Sequence, residues 1–253
     1  MPDLVLLIIF KNFTIMKIAL VGYGKMGKAI EAIALEQGHE VLLKIDKDNA
    51  DLLDNNHLQK VDVAIEFSTP QTAFSNIMKC LDAQTPVVVG TTAWLDHLSE
   101  VEEKVKKTAG SFLYASNFSI GVNIFFELNK KLAALMGKQD QYNIEMEEIH
   151  HTEKKDAPSG TAITLAEQIL ADVPRKTSWI NEKTSISEEL SIISKRIDPT
   201  PGTHVIRYGS EIDEIEIRHT AHSRKGFAQG ALTAAKFIHD KKGIFSMRDV
   251  LGL

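Results

Sequence analysis

The hydrophobic positions in the first part of the chain follow a strand-then-helix order. Short apolar runs occur at residues 17–21, 40–46, 61–67, 86–89 and 112–115. Stretches with apolar residues at helical spacing follow these runs, as at residues 72–81 and 95–108. Such alternation predicts an α/β domain built on a doubly wound parallel sheet. In such a sheet, ligands bind outside the carboxyl ends of the strands.

The pattern changes after residue 118. A long amphipathic helix is predicted at 119–136, an alternating strand at 143–149 and a second helix at 160–171. Three more alternating strands follow at 190–197, 203–208 and 212–220, and no helix separates the last two. This order predicts a second α+β domain on a mixed or antiparallel sheet. Residues 173–188 have no clear period and are predicted to form an exposed loop, whereas 226–239 return to helix before a short terminal element at 247–251.

The first fifteen residues stand apart from this pattern. Their apolar run is too short to span a membrane, and it lacks the basic start and cleavage site of a signal peptide. Met16 directly precedes the first predicted strand. We therefore interpret residues 1–15 as an upstream extension; the alternative is an added edge strand.

Composition narrows the classes of partner. The formal net charge of −5 argues against a nucleic-acid or anionic-membrane partner, so an anionic ligand would need a local cationic cluster. The single cysteine, Cys80, excludes a disulfide within the chain and a cysteine zinc site, and it fits a reducing, cytoplasmic setting. Cys80 lies in an apolar helical pattern and is predicted to be a small core residue.

A glycine-rich turn follows the first predicted strand. It reads Gly22-Tyr23-Gly24-Lys25-Met26-Gly27 and matches G-x-G-x-x-G, with a helix after it and Asp46 at the end of the second strand. An acid about 20 residues after such a turn is typical of Rossmann-like dinucleotide binding. The glycines allow the backbone to approach a pyrophosphate at the helix N-terminus. Asp46 favours NADH, whereas the next residue, Lys47, can hold a 2′-phosphate, so we expect use of both NADH and NADPH.

A second candidate site lies at residues 148–162, which read EIHHTEKKDAPSGTA. His150 and His151 are adjacent, so on a strand they point to opposite faces and cannot share one role. Lys154 follows them, and Pro158 stops any helix before Ser159, a good N-cap for a new one. The free N–H groups after Ser159 form an anion site. This combination suits an anionic substrate that must receive a proton.

This stretch closely resembles the signature of the dihydrodipicolinate reductase family, now called 4-hydroxy-tetrahydrodipicolinate reductases, and the resemblance runs from about residue 17 to the end. It implies NAD(P)H-dependent reduction of 4-hydroxy-tetrahydrodipicolinate, a dicarboxylate, to tetrahydrodipicolinate in diaminopimelate and lysine biosynthesis. It also implies a cytoplasmic homotetramer, and a dinucleotide domain at 16–118 completed by 225–253, with the substrate and oligomerisation domain at 119–224. His150 and Lys154 match the family's proton donors. The residues that match its substrate-binding positions are His151, Gly160 and Thr161. Its nicotinamide-side loops are matched by Gly90, Thr91 and Thr92 and by Ala115, Ser116, Asn117 and Phe118.

The sequence alone leaves three alternative functions open. Metal-dependent hydrolysis would use His150, His151 and Asp156, but adjacent histidines diverge on a strand, and we expect no metal. A non-catalytic NADH-binding redox sensor would not need the pair of His150 and Lys154. A related reductase or dehydrogenase with another imine or amino-acid substrate cannot be separated by fold alone. A ligand contact by Arg224 also stays open.

Overall fold

The computed structural model describes residues 15–223 and 225–253, so the expectations for the N-terminal extension and for Arg224 fall almost entirely outside it. The chain divides into two compact units. Among the described residues, unit one contains 15–116 together with 228–252, and unit two contains 117–223 and 225–227 with 253. No helix among the described residues has the length and apolar character needed to cross a membrane.

Unit one is a parallel sheet flanked by helices, with elements numbered in chain order across both units. Its strands are β1 (Lys17–Val21), β2 (Glu40–Ile45), β3 (Val63–Glu66), β4 (Val87–Val89), β5 (Ser111–Tyr114) and β11 (Gly243–Phe245). Their spatial order is β11-β5-β4-β3-β1-β2, and every pair is parallel. The helices are α1 (Lys25–Glu36), α2 (Asn55–Leu58), α3 (Pro70–Asp82), α4 (Leu98–Thr108) and α8 (Met247–Leu251). This confirms the doubly wound fold, with its switch in strand order beside β1.

The core of unit one explains why these strands read as apolar runs. All residues of β3 and β4 are buried, because helices cover both faces of the central strands. At the sheet edge, β2 alternates between exposed and covered positions. Cys80 on α3 is completely buried in this core, as predicted, and burial raises the pKa of its thiol to about 12.

Unit two is built on a mixed sheet, as predicted. Its strands are β6 (Asn143–His150), β7 (Ser178–Ile180), β8 (Glu189–Arg196), β9 (Gly202–Gly209) and β10 (Glu214–Ala221), in the spatial order β10-β9-β6-β8-β7. Strand β6 pairs parallel with β8 and antiparallel with β9. The helices α5 (Ile120–Met136) and α6 (Gly160–Asp172) supply the apolar side chains that pack on this sheet. Helix α6 lies in the connection between the parallel strands β6 and β8, which need such a crossover.

Two details differ from the sequence prediction. The loop predicted at 173–188 is wrong at Ser178–Ile180, where β7 pairs with β8. The terminal strand β11 was not predicted. Both strands have three residues, which is too short for periodicity to distinguish a strand from a loop. Helix α7 (Lys225–Ile238) was predicted, and its residues from 228 onward belong to unit one.

Candidate active site

The glycine-rich turn of unit one has the geometry that a dinucleotide requires. Gly22 has φ +92°, and a Cβ there would stand 2.1 Å from the carbonyl oxygen of Phe67. Gly24 is the N-cap of α1, with no side-chain cap, and a Cβ there would meet nothing within 4 Å. A Cβ at Gly27 would stand 2.4 Å from the carbonyl oxygen of Gly22, so this glycine permits close packing of helix and strand. The turn leaves the N-terminus of α1 open to a phosphate.

A cleft of about 280 Å³ lies at this turn. Asp46 and Lys47 line it together with Gly22 and Gly24, so four predicted cofactor residues come together. Asp46 is exposed; its Oδ1 accepts from the Lys47 amide at 2.9 Å, and its amide donates to Asn49 Oδ1 at 2.7 Å. The carboxylate is therefore fixed at the start of a short 3₁₀ helix. The remaining lining residues are Val21, Ile45, Ala50, Phe67, Ser68, Thr69, Thr72 and Asn76.

The other predicted residues of the turn do not line this cleft. Tyr23 donates its hydroxyl hydrogen to Glu31, whose other oxygen lies 2.5 Å from Lys44 Nζ. Lys25 is exposed and Met26 is half-buried at the start of α1. These contacts brace the turn, and they occupy Lys44 with an ion pair.

Glu66, which the sequence reading missed, ends β3 beside the cleft. It is completely buried, and its Oε1 accepts from the Ser68 amide at 3.2 Å and from Asn76 Nδ2 at 3.4 Å. The Ser68 amide also donates to Thr91 Oγ1 at 2.8 Å. Burial raises the pKa of Glu66, while hydrogen bonds from its neighbours oppose that shift. An acid that ends an apolar strand is a signal that could have identified this residue.

The predicted nicotinamide-side loops lie farther along the chain. Thr91 is buried and Thr92 is exposed, and a Cβ at Gly90 would stand 2.2 Å from the ring of Phe67. These residues follow β4, which β3 separates from β1. The second loop begins with Ala115, which is half-buried, and Ser116, which is exposed.

The end of this second loop belongs to unit two. Asn117 Oδ1 accepts from the Ser119 amide at 2.9 Å, and its Nδ2 donates to Thr161 Oγ1 at 3.3 Å. Phe118 is buried. The structure thus brings Asn117, predicted to face the cofactor, against Thr161, predicted to bind substrate.

His150 and His151 occupy different environments, as the alternation of a strand predicts. His150 is the last residue of β6 and is 8% exposed. His151 follows the strand, is half-buried, and lines a separate cavity with Thr152 and Asp198. Asp198 accepts from the amide of Thr152 at 3.0 Å and from its hydroxyl at 2.6 Å. These two bonds fix the chain directly after the histidine pair.

Lys154 is held in the loop between β6 and α6. Its Nζ donates to both carboxylate oxygens of Asp156 at 2.8 Å. Although burial opposes it, this contact lowers the pKa of Asp156. Arg196, at the end of β8, donates from Nε to the Lys154 carbonyl at 3.2 Å and from Nη2 to the Asp156 carbonyl at 2.5 Å. The loop is therefore braced from a neighbouring strand.

Ser159 caps α6, as predicted. Its Oγ accepts from the Ala162 amide at 3.2 Å. Gly160 is exposed, and a Cβ there would meet nothing within 4 Å. The first turn of α6 contains no acidic residue. Its open N–H groups can thus bind a carboxylate.

A buried carboxylate, Glu148, joins these parts. Both of its oxygens accept from the Ser159 amide, at 3.1 and 3.2 Å, and Oε1 also accepts from Arg196 Nη2 at 3.1 Å. Its Oε2 lies 3.1 Å from His150 Nδ1, off the direction of an aligned hydrogen bond, so this contact is electrostatic. Burial tends to raise the pKa of Glu148, but the bonds from His150 and Ser159 lower it well below its usual range.

His204 on β9 completes the cluster and was also missed. It lies opposite Glu148 in the β6–β9 register, and its ring packs edge-on against His150 at 5.2 Å between centroids. Its Nε2 lies 3.2 Å from Ser159 Oγ. Burial lowers the pKa of His204 to about 3, so the ring is neutral near pH 7. No local motif contains His204, so only the strand register could have revealed it.

Glu148, His150 and His204 could also hold a metal ion, since one ligand atom from each lies within 4.8 Å of the others. The third ligand of such a set comes from β9 and not from the histidine pair. Glu148 already accepts from Ser159 and from the guanidinium of Arg196, so its charge is balanced without a metal ion. We therefore interpret the cluster as a hydrogen-bonded network.

Comparisons with known proteins agree with this geometry. Residues 16–118 match the family model described as dihydrodipicolinate reductase, N-terminus, and residues 121–251 match that for the C-terminus. The 4-hydroxy-tetrahydrodipicolinate reductase of Christiangramia forsetii is 50% identical over 238 residues, which cover 93% of this chain and 98% of the relative. That of Thermosipho africanus is 37% identical over 239 residues, with coverages of 93% and 98%.

A solved structure agrees as well. The dipicolinate-bound dihydrodipicolinate reductase from Paenisporosarcina sp. TG-14 superposes with a TM-score of 0.73 at 26% identity, covering 92% of this chain and 98% of that one. Amine dehydrogenase from Mycobacterium smegmatis, with a TM-score of 0.59 at 10% identity, shares the fold alone. The chain belongs to the dihydrodipicolinate reductase family and is an oxidoreductase with a nicotinamide-binding fold.

Proposed function

We propose that this reductase converts 4-hydroxy-tetrahydrodipicolinate to tetrahydrodipicolinate, in diaminopimelate and lysine biosynthesis, with His150 and Lys154 as proton donors. The observation that carries the proposal is the arrangement in unit two. There an imidazole, an ammonium group and an open helix N-terminus are held in one short stretch by Glu148 and Arg196. A dicarboxylate that must accept a proton needs these groups.

Each group has a distinct task in this proposal. The 4-hydroxyl group of the substrate leaves as water, which gives a conjugated C=C–C=N unit. When bound, reduced nicotinamide would supply a hydride to an electron-poor carbon of this unit. The negative charge that this leaves on the substrate spreads to nitrogen, and a positioned acid neutralises it. His150 and Lys154 carry the proton, while the amides of Gly160 and Thr161 bind a substrate carboxylate at the start of α6. His151, outside the buried cluster, contacts the substrate from the other side of the strand end.

Lys154 has an additional feature that suits this role. In the structure, the carboxylate of Asp156 binds the ammonium group of Lys154. An incoming carboxylate competes for the same charge, so the lysine can pass from one anion to the other without becoming unpaired. The cost of ordering its long side chain is already met in the free protein.

The same chain residues suggest how NADH and NADPH are distinguished. In this proposal Asp46 accepts hydrogen bonds from the hydroxyls of the adenosine ribose, whereas Lys47 holds a 2′-phosphate as a point charge. The two preferences oppose each other, so we propose dual use, with NADH preferred or equal by about tenfold at most, which is about 1.4 kcal/mol. The nicotinamide-side contacts are assigned to Gly90–Thr92 and to residues 115–118.

The setting of the enzyme follows from the same family. We propose a cytoplasmic homotetramer whose subunits associate through the unit-two sheet. A single, buried cysteine fits a reducing compartment. The net charge of −5 means that an anionic substrate is attracted by local groups and not by the overall field.

The decisive assay follows the absorbance of NADH when the purified chain meets the condensation product of pyruvate and aspartate semialdehyde. We expect substrate-dependent loss of absorbance, with NADPH giving a comparable rate. Lys154→Ala should lose most of this rate, whereas the matched control Lys155→Ala, an exposed neighbour, should keep it. No oxidation of either cofactor by the intact protein would refute the proposed substrate.

A further inference from the structure

Glu148 has no part in the chemistry described above, yet it is completely buried at the centre of the site. A buried carboxylate is costly unless it is paired and hydrogen-bonded. Its contacts reach the N-cap of α6 through the Ser159 amide, the loop through Arg196, and the imidazole of His150. One carboxylate therefore connects all three functional parts of unit two.

The register of the sheet explains why this connection is rigid. Arg196 on β8 lies opposite His150, and His204 on β9 lies opposite Glu148. The carboxylate and the imidazole are thus fixed by cross-strand neighbours on both sides of β6. A mobile loop could not hold these groups as firmly.

The charges around His150 come from several elements. Glu148 on β6 is the nearby anion, at 3.1 Å from Nδ1. Arg196 on β8 and Lys154 in the loop are cationic, and His204 on β9 is kept neutral by burial. His219 on β10 also acts on His204 electrostatically. Glu148 is thus the anion that faces His150 among cationic and neutral neighbours.

The other nitrogen of His150 lies beside a glycine. A Cβ at Gly202 would stand 3.1 Å from His150 Nε2. With Nδ1 directed at Glu148, Nε2 is the nitrogen that can give its proton to a ligand. A carboxylate on one ring nitrogen fixes which nitrogen acts.

We propose that Glu148 is a positioning residue: it orients His150 and ties it to the α6 N-terminus and the Lys154 loop. This inference rests on the proposed function, because it assigns His150 the donor role. Glu148 itself does not contact the substrate.

Glu148→Gln tests the proposal, because it keeps the shape and removes the charge. Its matched control is Glu147→Gln, the same change one residue earlier on the other face of β6, where the side chain pairs with Lys195. We expect Glu148→Gln to lower kcat by about 10- to 100-fold, less than the loss of about 10²–10⁴-fold expected when a general acid itself is removed. The KM for the substrate should rise less than kcat falls, and NADH affinity should stay within about twofold, since unit one is unchanged.

The pH profile separates positioning from simple structural support. Loss of a nearby anion disfavours a protonated donor, so the alkaline limb of kcat should move to lower pH by about 1 unit or more. Glu148→Asp, which keeps the charge, should leave that limb near its wild-type position. An unmoved limb in Glu148→Gln, or loss of folding in both Glu148 variants, would make the residue purely structural and overturn the proposal.

A measurement without substrate distinguishes a failure of the proposed function from a failure of the positioning role of Glu148. The ring ¹⁵N signals of His150, identified by their loss in His150→Asn, report which nitrogen carries the proton. At a pH high enough that the ring has lost the Nε2 proton, we expect Nδ1–H in the wild type and a changed tautomer mixture in Glu148→Gln. If the wild type fails to reduce the substrate but this tautomer result holds, the proposed function is wrong and the positioning by Glu148 stands. An unchanged tautomer in Glu148→Gln overturns the positioning itself.

Discussion

Gly22→Ala should damage unit one far more than the same change two residues later. Gly22 connects β1 to α1 with φ +92°, and an added Cβ would stand 2.1 Å from the Phe67 oxygen and 2.4 Å from its carbonyl carbon. Both atoms belong to backbone that directly follows β3. The Phe67 amide also donates to the Val21 carbonyl at 2.7 Å, so the two segments cannot separate without breaking the sheet.

The expected loss of folding stability in Gly22→Ala is the sum of two contributions. A left-handed backbone costs a residue other than glycine about 1–2 kcal/mol. Overpacking that forces a backbone shift adds about 1–3 kcal/mol. Their sum of roughly 2–5 kcal/mol corresponds to a fall in Tm of about 5–20 °C for a protein of this size.

Thermal unfolding followed by circular dichroism, together with NADH binding by fluorescence, checks this prediction. The matched control is Gly24→Ala, since a Cβ at Gly24 meets nothing within 4 Å and its φ is −81°. That variant should lose at most about 1 kcal/mol of stability, the cost of alanine at an N-cap. It should still weaken NADH binding, because the added methyl group would stand at the open N-terminus of α1, where we propose that the pyrophosphate binds. A Gly22→Ala protein with wild-type Tm and NADH affinity would refute the reasoning.

Three further predictions concern the site. His150→Ala and Lys154→Ala should each lower kcat by about 10²–10⁴-fold while the fold survives, as measured by steady-state kinetics and circular dichroism. Asp46→Ser should weaken NADH selectively and Lys47→Ala should weaken NADPH selectively, as measured by the ratio of kcat/KM for the two cofactors. The stability of unit two should fall by a few kcal/mol as the pH falls from about 6.5 towards 3. The reason is that burial lowers the pKa of His204 to about 3, so the unfolded chain binds a proton that the folded chain excludes. His204→Gln should flatten this dependence in denaturant unfolding.

Each of these has a clear contrary outcome. Near-native kcat in Lys154→Ala would remove lysine from the proton-donor pair. An NADPH preference above about a hundredfold, or an unchanged cofactor ratio in Lys47→Ala, would show that other residues choose the cofactor. Acid sensitivity that persists unchanged in His204→Gln would place its origin elsewhere in the chain.

The sequence predicted the features that depend on local spacing. Apolar runs and helical periods located the parallel sheet, and the cap at Ser159 and the separate environments of His150 and His151 follow from neighbours in the chain. What could not be predicted depends on strand register. Arg196 and His204 reach Glu148 from two different strands, and a one-residue shift of either strand would direct them to the other face.

The sequence also failed to predict the short strand β7 and the role of Glu66, because both depend on contacts with other parts of the chain. Strand β7 at Ser178–Ile180 exists because β8 offers a free edge for pairing, and its three residues carry no pattern of their own. Glu66 was missed because a buried acid looks like the polar end of a strand until its hydrogen bonds to Ser68 and Asn76 are seen.

The burial of Cys80 makes the protein a convenient host for chemical probes. Only the thiolate reacts with maleimides and similar reagents, and with a pKa of about 12 and no exposed surface this thiol is inert near neutral pH. A cysteine introduced on the surface would therefore be the sole reactive one, without prior removal of the native residue. One probe at exposed Leu35 in unit one and one at exposed Ile215 in unit two would form a fluorescence pair. Its transfer efficiency, followed during titration with NADH and then with a dicarboxylate, would measure the distance between the units in each liganded state.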